Sequence, residues 1–356
     1  MKVLVLGGTG AMGAHLVHLL RVKSHDIFVT SRSAQSSAGK VRFLQGNAQK
    51  IEFLQKLLQH PFDVTIDFMV YRTTNFKERA ELLLKSTKQY IFLSSARVYA
   101  NEEHPITESS PRLLDITEDV QYLATDEYAL AKARQENILR NSGYNNWTII
   151  RPYITYSENR LQLGVSEKED WLYRALKGRT IFFPEDILNK KTSLTYSLDV
   201  SKAISELAGN SGALNKTYNI AINEKESKTW CDILNIYFEV FEKIIGYRPK
   251  ISMQNLNNFL KIRPIGAKYQ VLYDRMFDRN FNNSKIESFA CIDNFTKTET
   301  GLKKCLESFL KNPQFKDIDW KIQAKMDKMS KEKASLSEIP GIKQKIKYLL
   351  FRYGKN

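Results

Sequence analysis

The sequence predicts a doubly wound α/β fold: a parallel sheet covered by helices on both faces, then a smaller C-terminal α/β lobe and a basic helical tail. Two observations carry this. Short apolar, β-branched runs alternate with segments of helical spacing through the first half of the chain, the pattern of βαβ units whose strands are buried on both faces. The first of these runs also ends in a cluster of glycines that opens a helical segment. In order, Lys2–Leu6, Ile27–Thr30, Val41–Leu44, Val64–Val70, Tyr90–Leu93 and Trp147–Ile150 read as strands. Between them Ala14–Leu20, Ile51–Leu58, Phe76–Leu84 and a long stretch from Tyr122 to Asn141 read as helices. After Tyr153 the alternation loosens. Leu172–Leu176, Val200–Leu207 and the strongly amphipathic Trp230–Ile245 are helical, Thr192–Tyr196 and Thr217–Ile222 are strands, and two Lys-rich helical segments beyond Phe315 are separated at Pro340-Gly341.

Composition narrows the function classes. With 356 residues, 42% hydrophobic and 26% charged, the chain has an ordinary globular mix and can bury a core without staples. Cys231, Cys291 and Cys305 form no C-x-x-C pair, and the five histidines form no H-x-x-x-H pair, so neither a disulfide scaffold nor a dedicated metal site is expected. No run of about 18 apolar residues is present, and a cytoplasmic protein is expected. The net charge is +15, and its distribution is uneven: residues 311–356 hold twelve Lys/Arg against five Asp/Glu. A Lys-rich amphipathic segment such as Ile342–Tyr353 can lie on an anionic membrane surface or pack on the body with its lysines in water.

The first strand runs into Gly7-Gly8-Thr9-Gly10-Ala11-Met12-Gly13. Three spaced glycines between a strand and a helix allow a tight turn, close approach of backbone N–H groups to a pyrophosphate, and close helix–strand packing. The positive end of the following helix faces the phosphates. Residues 1–155 therefore read as a dinucleotide-binding Rossmann domain, joined by parts of 195–225, with 156–310 as a smaller lobe and 311–356 as the tail. At the end of the second strand, where a carboxylate would hold a ribose 2′-hydroxyl, stand Ser31-Arg32-Ser33. Two hydroxyls and a guanidinium suit a 2′-phosphate, so NADP(H) is favoured over NAD. Arg32 stacking on the adenine would serve either.

Three further pieces follow in order: Ser94-Ser95-Ala96-Arg97-Val98-Tyr99 at the end of the fifth strand, Tyr128-Ala129-Leu130-Ala131-Lys132 on the long helix, and Arg151-Pro152-Tyr153 at the end of the sixth strand. Tyr128 and Lys132 are four apart and share a helical face. A phenol with a reference pKa of about 10 is a weak base at neutral pH, and an ammonium one turn away favours the phenolate. Such a tyrosine can exchange a proton with a substrate oxygen while hydride leaves or reaches the same carbon.

The joint order of glycine turn, S-S-x-x-V-Y, Y-x-x-x-K and R-P resembles the extended short-chain dehydrogenase/reductases, the NAD-dependent epimerase/dehydratase family acting on nucleotide-sugars, over residues 1–310 or so. The resemblance implies that Tyr128, Lys132 and Ser95 are catalytic, with Ser94 as the alternate serine, and that Lys132 also holds the nicotinamide ribose. It implies a cofactor site made of Gly7, Thr9, Gly10, Ala11, Met12, Gly13, Ser31, Arg32, Asn47, Phe68, Met69, Ser94, Lys132, Pro152 and Tyr153. Substrate contacts are implied for Ser95, Arg97, Arg160, Arg174 and Arg179, with Lys177 beside them. The chain departs from the family pattern in having Gly46-Asn47 instead of Gly-Asp and the bulky Asp67-Phe68-Met69 at the end of the fourth strand. Where the dehydratase branch has a Thr-Asp-Glu triplet this chain keeps serines, and Thr125-Asp126-Glu127 lies in the wrong place to replace it, which disfavours dehydration. The expectation is an NAD(P)-dependent 4-epimerase or ketoreductase of a nucleotide-diphosphate sugar, supplying surface polysaccharide, homodimeric and cytoplasmic, and without nucleic acid. Rival readings are a non-catalytic dinucleotide- or RNA-binding Rossmann protein, disfavoured because the Tyr/Lys pair is kept, and a ketoreductase of a non-sugar substrate.

Overall fold

A computed structural model describes residues 1–101 and 103–354, Ile265 by its backbone alone. The chain divides into two compact units. One comprises Met1–Ser157, Ser193–Ser227 and Arg279–Thr298, the other Glu158–Thr192, Lys228–Asp278 and Glu299–Asn356.

The first unit is a Rossmann fold. Its strands are β1 (Lys2–Leu6), β2 (Asp26–Ser31), β3 (Val41–Gln45), β4 (Phe62–Asp67), β5 (Thr87–Leu93), β6 (Trp147–Pro152) and β7 (Lys216–Ile220). They form one sheet in the order β7-β6-β5-β4-β1-β2-β3, every pair parallel. Its main helices are α1 (Ala11–Val22), α2 (Ile51–Leu57), α3 (Phe76–Lys85), α4 (Tyr128–Arg140) and α5 (Ser197–Leu207).

Successive side chains of a strand point to opposite faces, and β1 shows why its run is apolar throughout. Val3 and Val5 pack with Leu16, Leu20, Val200 and Ile204 on one face. Leu4 and Leu6 pack with Leu54, Ala80, Leu83 and Leu139 on the other. Val3 to Leu6 are fully buried, and Lys2, at the start of the strand, is half-buried. Because the sheet is wholly parallel, the carboxyl ends of β1, β4, β5 and β6 lie along one edge, and the glycine turn, Asp67, Ser94-Ser95 and Pro152-Tyr153 emerge there together.

Two sequence expectations change in detail. The helix expected from Tyr122 to Asn141 is interrupted: a single turn at Val120–Leu123 precedes α4, which starts at Tyr128 itself. The Glu127 carboxylate accepts the Ala129 N–H at 2.8 Å and so acts as the N-cap, satisfying one of the amides that a helix start leaves without a partner. The strand expected over Thr192–Tyr196 is two short ones, Lys191–Thr192 and Thr195–Tyr196.

In the second unit, α6 (Trp230–Ile245) begins with a Thr229/Asp232 capping box and ends at Gly246, whose φ of 89° is the left-handed C-cap conformation. Trp171 stacks on its Tyr237 at 5.0 Å. Helices α7 (Trp320–Ser330) and α8 (Gly341–Tyr353) bury Trp320, Ala324, Ala334, Ile339 and Tyr348 against Tyr173. Among the described residues no helix is long and apolar enough to cross a membrane.

Candidate active site

The glycine turn divides its tasks by geometry. Gly7 has φ +72°, a conformation that side chains other than glycine rarely adopt. Its N–H is held by Thr30 Oγ1 of β2 at 3.1 Å. A Cβ on Gly13 would lie 2.6 Å from Gly8 Cα, so glycine there lets α1 close onto the turn. At Gly10 a Cβ would find only the Gly7 carbonyl, at 3.7 Å. Gly10 and Thr9 are exposed and Ala11 and Met12 half-buried. No side chain caps α1, and no acidic residue stands in its first turn. The open side of the turn therefore presents the positive end of a helix that carries no side-chain cap, which fits the pyrophosphate of a dinucleotide.

Around this turn the other expected contacts sort themselves. Ser31 is buried and its hydroxyl donates to Ser33 O at 2.8 Å, while Arg32 and Ser33 are exposed. Asn47 Oδ1 accepts the Gln49 N–H at 3.0 Å, fixing the turn before α2. Phe68 packs into the core on one face of the sheet and Met69 on the other, and Met69 Sδ lies 2.9 Å from where a Cβ on Gly7 would be. The bulk at the end of β4 thus supports the turn. Tyr153 is buried against Phe281, ring centroids 5.0 Å apart.

Tyr128, Lys132 and Glu136 stand at successive four-residue steps on α4 and share a face. Lys132 is buried, and its ammonium donates to Leu93 O of β5 at 2.7 Å. Burial pulls its pKa down to about 8, while the charges of Asp67 and Glu136 act in the opposite sense. The Tyr128 ring is half-buried with two cations near its face: Lys132 Nζ 5.9 Å and Arg97 Cζ 5.2 Å from its centroid. Arg97 is itself fixed by Glu127 at 2.6 Å, so the carboxylate that caps α4 also aims the guanidinium.

The two serines differ. Ser94 Oγ donates to Glu136 Oε1 at 2.6 Å. Ser95 Oγ accepts the Arg97 N–H at 3.2 Å, which leaves its own proton for another acceptor. Glu136 is gripped by Arg151 at 2.8 and 2.5 Å. Burial opposes its ionisation, but the charge and hydrogen bonds of Arg151 and the Ser94 bond outweigh it, and the carboxyl sits below its usual range. Arg151 continues to Tyr99 Oη at 2.6 Å, and Tyr99 to Asn219 Oδ1 at 2.7 Å. This chain of bonds ties β5, α4, β6 and β7 together.

Sequence reasoning missed two groups. Asp67 is wholly buried at the end of β4 and accepts from Tyr71 Oη, Tyr90 Oη and the Met69 N–H. Burial raises its pKa despite those donors. An acid at the carboxyl end of the strand, directly after Val64-Thr65-Ile66, was the available signal. Glu136 was legible as the next step of the Tyr128–Lys132 stripe.

In the second unit the structure gives the expected substrate arginines other partners. Arg174 is fully buried and paired with Asp327 at 2.7 Å and Glu332 at 3.1 Å. Arg179 is paired with Asp327 at 3.1 Å and Glu338 at 3.3 Å. These pairs bind the segment after Glu158 to α7 and the loop beyond it, and they account for both arginines without a ligand. Arg160, half-exposed, meets Glu167 at 3.1 Å. Lys177 lies near the Tyr173 ring, at 5.9 Å.

The family model described as NAD dependent epimerase/dehydratase family matches residues 3–221. The chain belongs to the NAD-dependent epimerase/dehydratase family. Chloroplast stem-loop binding protein of 41 kDa b from Arabidopsis thaliana is 26% identical over 239 residues, 62% of this chain and 58% of that protein. UDP-glucose 4-epimerase from Lactobacillus helveticus is 27% identical over 152 residues, 39% of this chain and 46% of that one. The chain spans about half the length of the curated relatives it matches. Among solved epimerase structures, UDP-glucose 4-epimerase from Bifidobacterium longum in complex with NAD+ and UDP is similar in fold, with a TM-score of 0.63 at 19% identity, covering 88% of this chain and 99% of that one.

The buried amine gives this epimerase-family site a measurable signature. In the unfolded chain Lys132 titrates near 10.5 and in the folded one near 8, so between these values the unfolded state binds more protons and stability rises with pH. Chemical denaturation of wild type and Lys132→Met is expected to show the difference moving in favour of wild type from pH 8 to 10.5, by about 3 kcal/mol in total. A difference independent of pH would remove the depressed amine from the account.

Proposed function

We propose that the protein is a nicotinamide-dinucleotide-dependent enzyme of nucleotide-sugar chemistry, in which Tyr128 exchanges the proton and hydride moves at a sugar carbon. The single observation that carries this is the Tyr128 ring at the first turn of α4 beside a buried Lys132, on the sheet edge that also carries the uncapped glycine turn. The bound dinucleotide would supply or accept hydride. Glycine-turn amides would hold its phosphates. Lys132 would hold the nicotinamide ribose and, with Arg97, place positive charge beside the phenol oxygen as it gains charge. Ser95, whose hydroxyl accepts the Arg97 N–H and so keeps its proton to give, would donate to the reacting sugar oxygen. Arg32 and the absence of an acid near it favour NADP(H). The solved neighbours in complex with NAD+ support the broader class of cofactor.

A second reading, binding of structured RNA, has one observation behind it: the Arabidopsis relative is named for stem-loop binding, and this chain carries a net charge of +15. Phosphate-driven RNA binding would weaken steeply with salt and would be indifferent to the Tyr128 hydroxyl.

Assays of UDP-, dTDP-, GDP- and CDP-sugars with each cofactor test both readings. Turnover of one nucleotide-sugar is expected, with Tyr128→Phe slowing it about 10²–10⁴-fold while cofactor binding persists. Arg32→Glu is expected to shift preference from NADP toward NAD. Turnover without added reductant marks epimerisation, and consumption of a stoichiometric reductant marks ketoreduction. If no nucleotide-sugar reacts and RNA binds equally to wild type and Tyr128→Phe, the second reading replaces the first.

A further inference from the structure

Helix α8 carries large apolar side chains on two sides. One side is spent on its own unit. Tyr348 is buried, its ring edge-on to Trp320 at 6.1 Å and its hydroxyl donating to Asp327 at 2.6 Å. The other side has no such cover. Ile342, Ile346, Leu349, Leu350 and Tyr353 are 70%, 51%, 38%, 64% and 61% exposed. At about 100° per residue these five fall within one arc of roughly a quarter-turn. Scattered exposed apolar residues are ordinary, but a continuous stripe is not.

The shoulders of the stripe are basic. Lys343 and Lys347 flank one side, Lys345 and Arg352 the other, and the segment 341–354 contains no acidic residue. Lys347 reaches Asp319 at 3.4 Å, with both side chains still partly exposed. Whatever covers this face must be apolar along its middle and negative at both margins. A second copy of the helix would set like charges against each other. RNA would meet the cations but leave the isoleucines and leucines in water. A bilayer with anionic headgroups satisfies both demands: the stripe enters the boundary between headgroups and acyl chains, and the cations stay at the level of the phosphates.

We propose that α8 is a docking helix for an anionic bilayer surface and makes the protein peripheral to a membrane. This does not rest on the reaction proposed above.

The test is co-sedimentation of the full chain with vesicles of phosphatidylcholine alone and of phosphatidylcholine mixed with phosphatidylglycerol. Binding to the mixed vesicles is expected, falling as salt rises. Ile346→Glu and Leu350→Glu, both at exposed positions, are expected to weaken it about tenfold or more with unchanged thermal unfolding. Lys343→Glu with Lys345→Glu is expected to abolish the salt-sensitive part. Failure to bind the mixed vesicles overturns the proposal, as does equal binding by wild type and the Ile346 and Leu350 variants. If light scattering instead shows a dimer that Ile346→Glu dissociates, a second copy covers the stripe. Salt-sensitive RNA binding without vesicle binding assigns the cations to nucleic acid.

Discussion

The rotational setting of helix α4 controls everything chemical in the first unit. Tyr128 has no anchor of its own among the hydrogen bonds described; its position follows from the turns below it. Lys132 pins the helix to the end of β5 through Leu93 O, and Glu136 pins it to β6 through Arg151. Gln135 adds a bond from its amide to Tyr71 O at 2.8 Å. The bidentate Glu136–Arg151 pair is the firmest of these, because both members are buried and losing Arg151 would leave Glu136 the longer contacts to Arg112 at 3.3 Å and Arg140 at 3.7 Å. Sliding α4 by one residue would turn the whole stripe by about 100° and carry the phenol off the sheet edge.

Burial is what makes this arrangement selective. Lys132 and Asp67 are both out of water, and each is driven toward its neutral form by that burial. Each also faces the other's charge. The Asp67 carboxylate keeps three donors around it, two of them tyrosines that belong to the core. This polar centre sits directly under the carboxyl edge of a sheet whose faces are largely covered by apolar side chains. A parallel sheet gathers strand ends at one edge by construction, so residues as distant in sequence as Gly7, Ser95 and Tyr153 reach that edge without long loops.

Much of this was legible in the sequence, for physical reasons that differ by element. The seven-stranded sheet could be read because strands buried on both faces must be apolar throughout, and β1 is the clearest case. The glycine turn could be read because Gly7 and Gly13 are places where a Cβ is excluded by conformation or by contact. That Tyr128 and Lys132 share a face could be read from helical spacing, and their pairing with the site only from the joint order of the glycine turn, the serines and Arg151-Pro152. What could not be read were partnerships across long sequence separations. Arg174 and Arg179 look like free cations beside a glycine until Asp327, Glu332 and Glu338 fold onto them. Ser95 was ranked over Ser94 by resemblance, but that the Ser94 hydroxyl is spent on Glu136 depends on a residue 42 positions away. The break before α4 depends on Glu127, a residue whose capping role competes with its good helix propensity. The basic tail was visible as composition, but which side of its last helix faces outward was not.

The central claim is that the turn after β1 delivers a dinucleotide to the α4 stripe. Gly10→Glu tests it most directly, because a Cβ has room at that position and the new carboxylate would stand where phosphates are held. Calorimetric titration of NADP+ and NAD+ into wild type and variant is the measurement. The account requires saturable binding of at least one dinucleotide by the wild-type protein and its loss in a variant whose thermal unfolding is unchanged. Equal affinity in the two proteins, or no dinucleotide binding by the wild type, would contradict it.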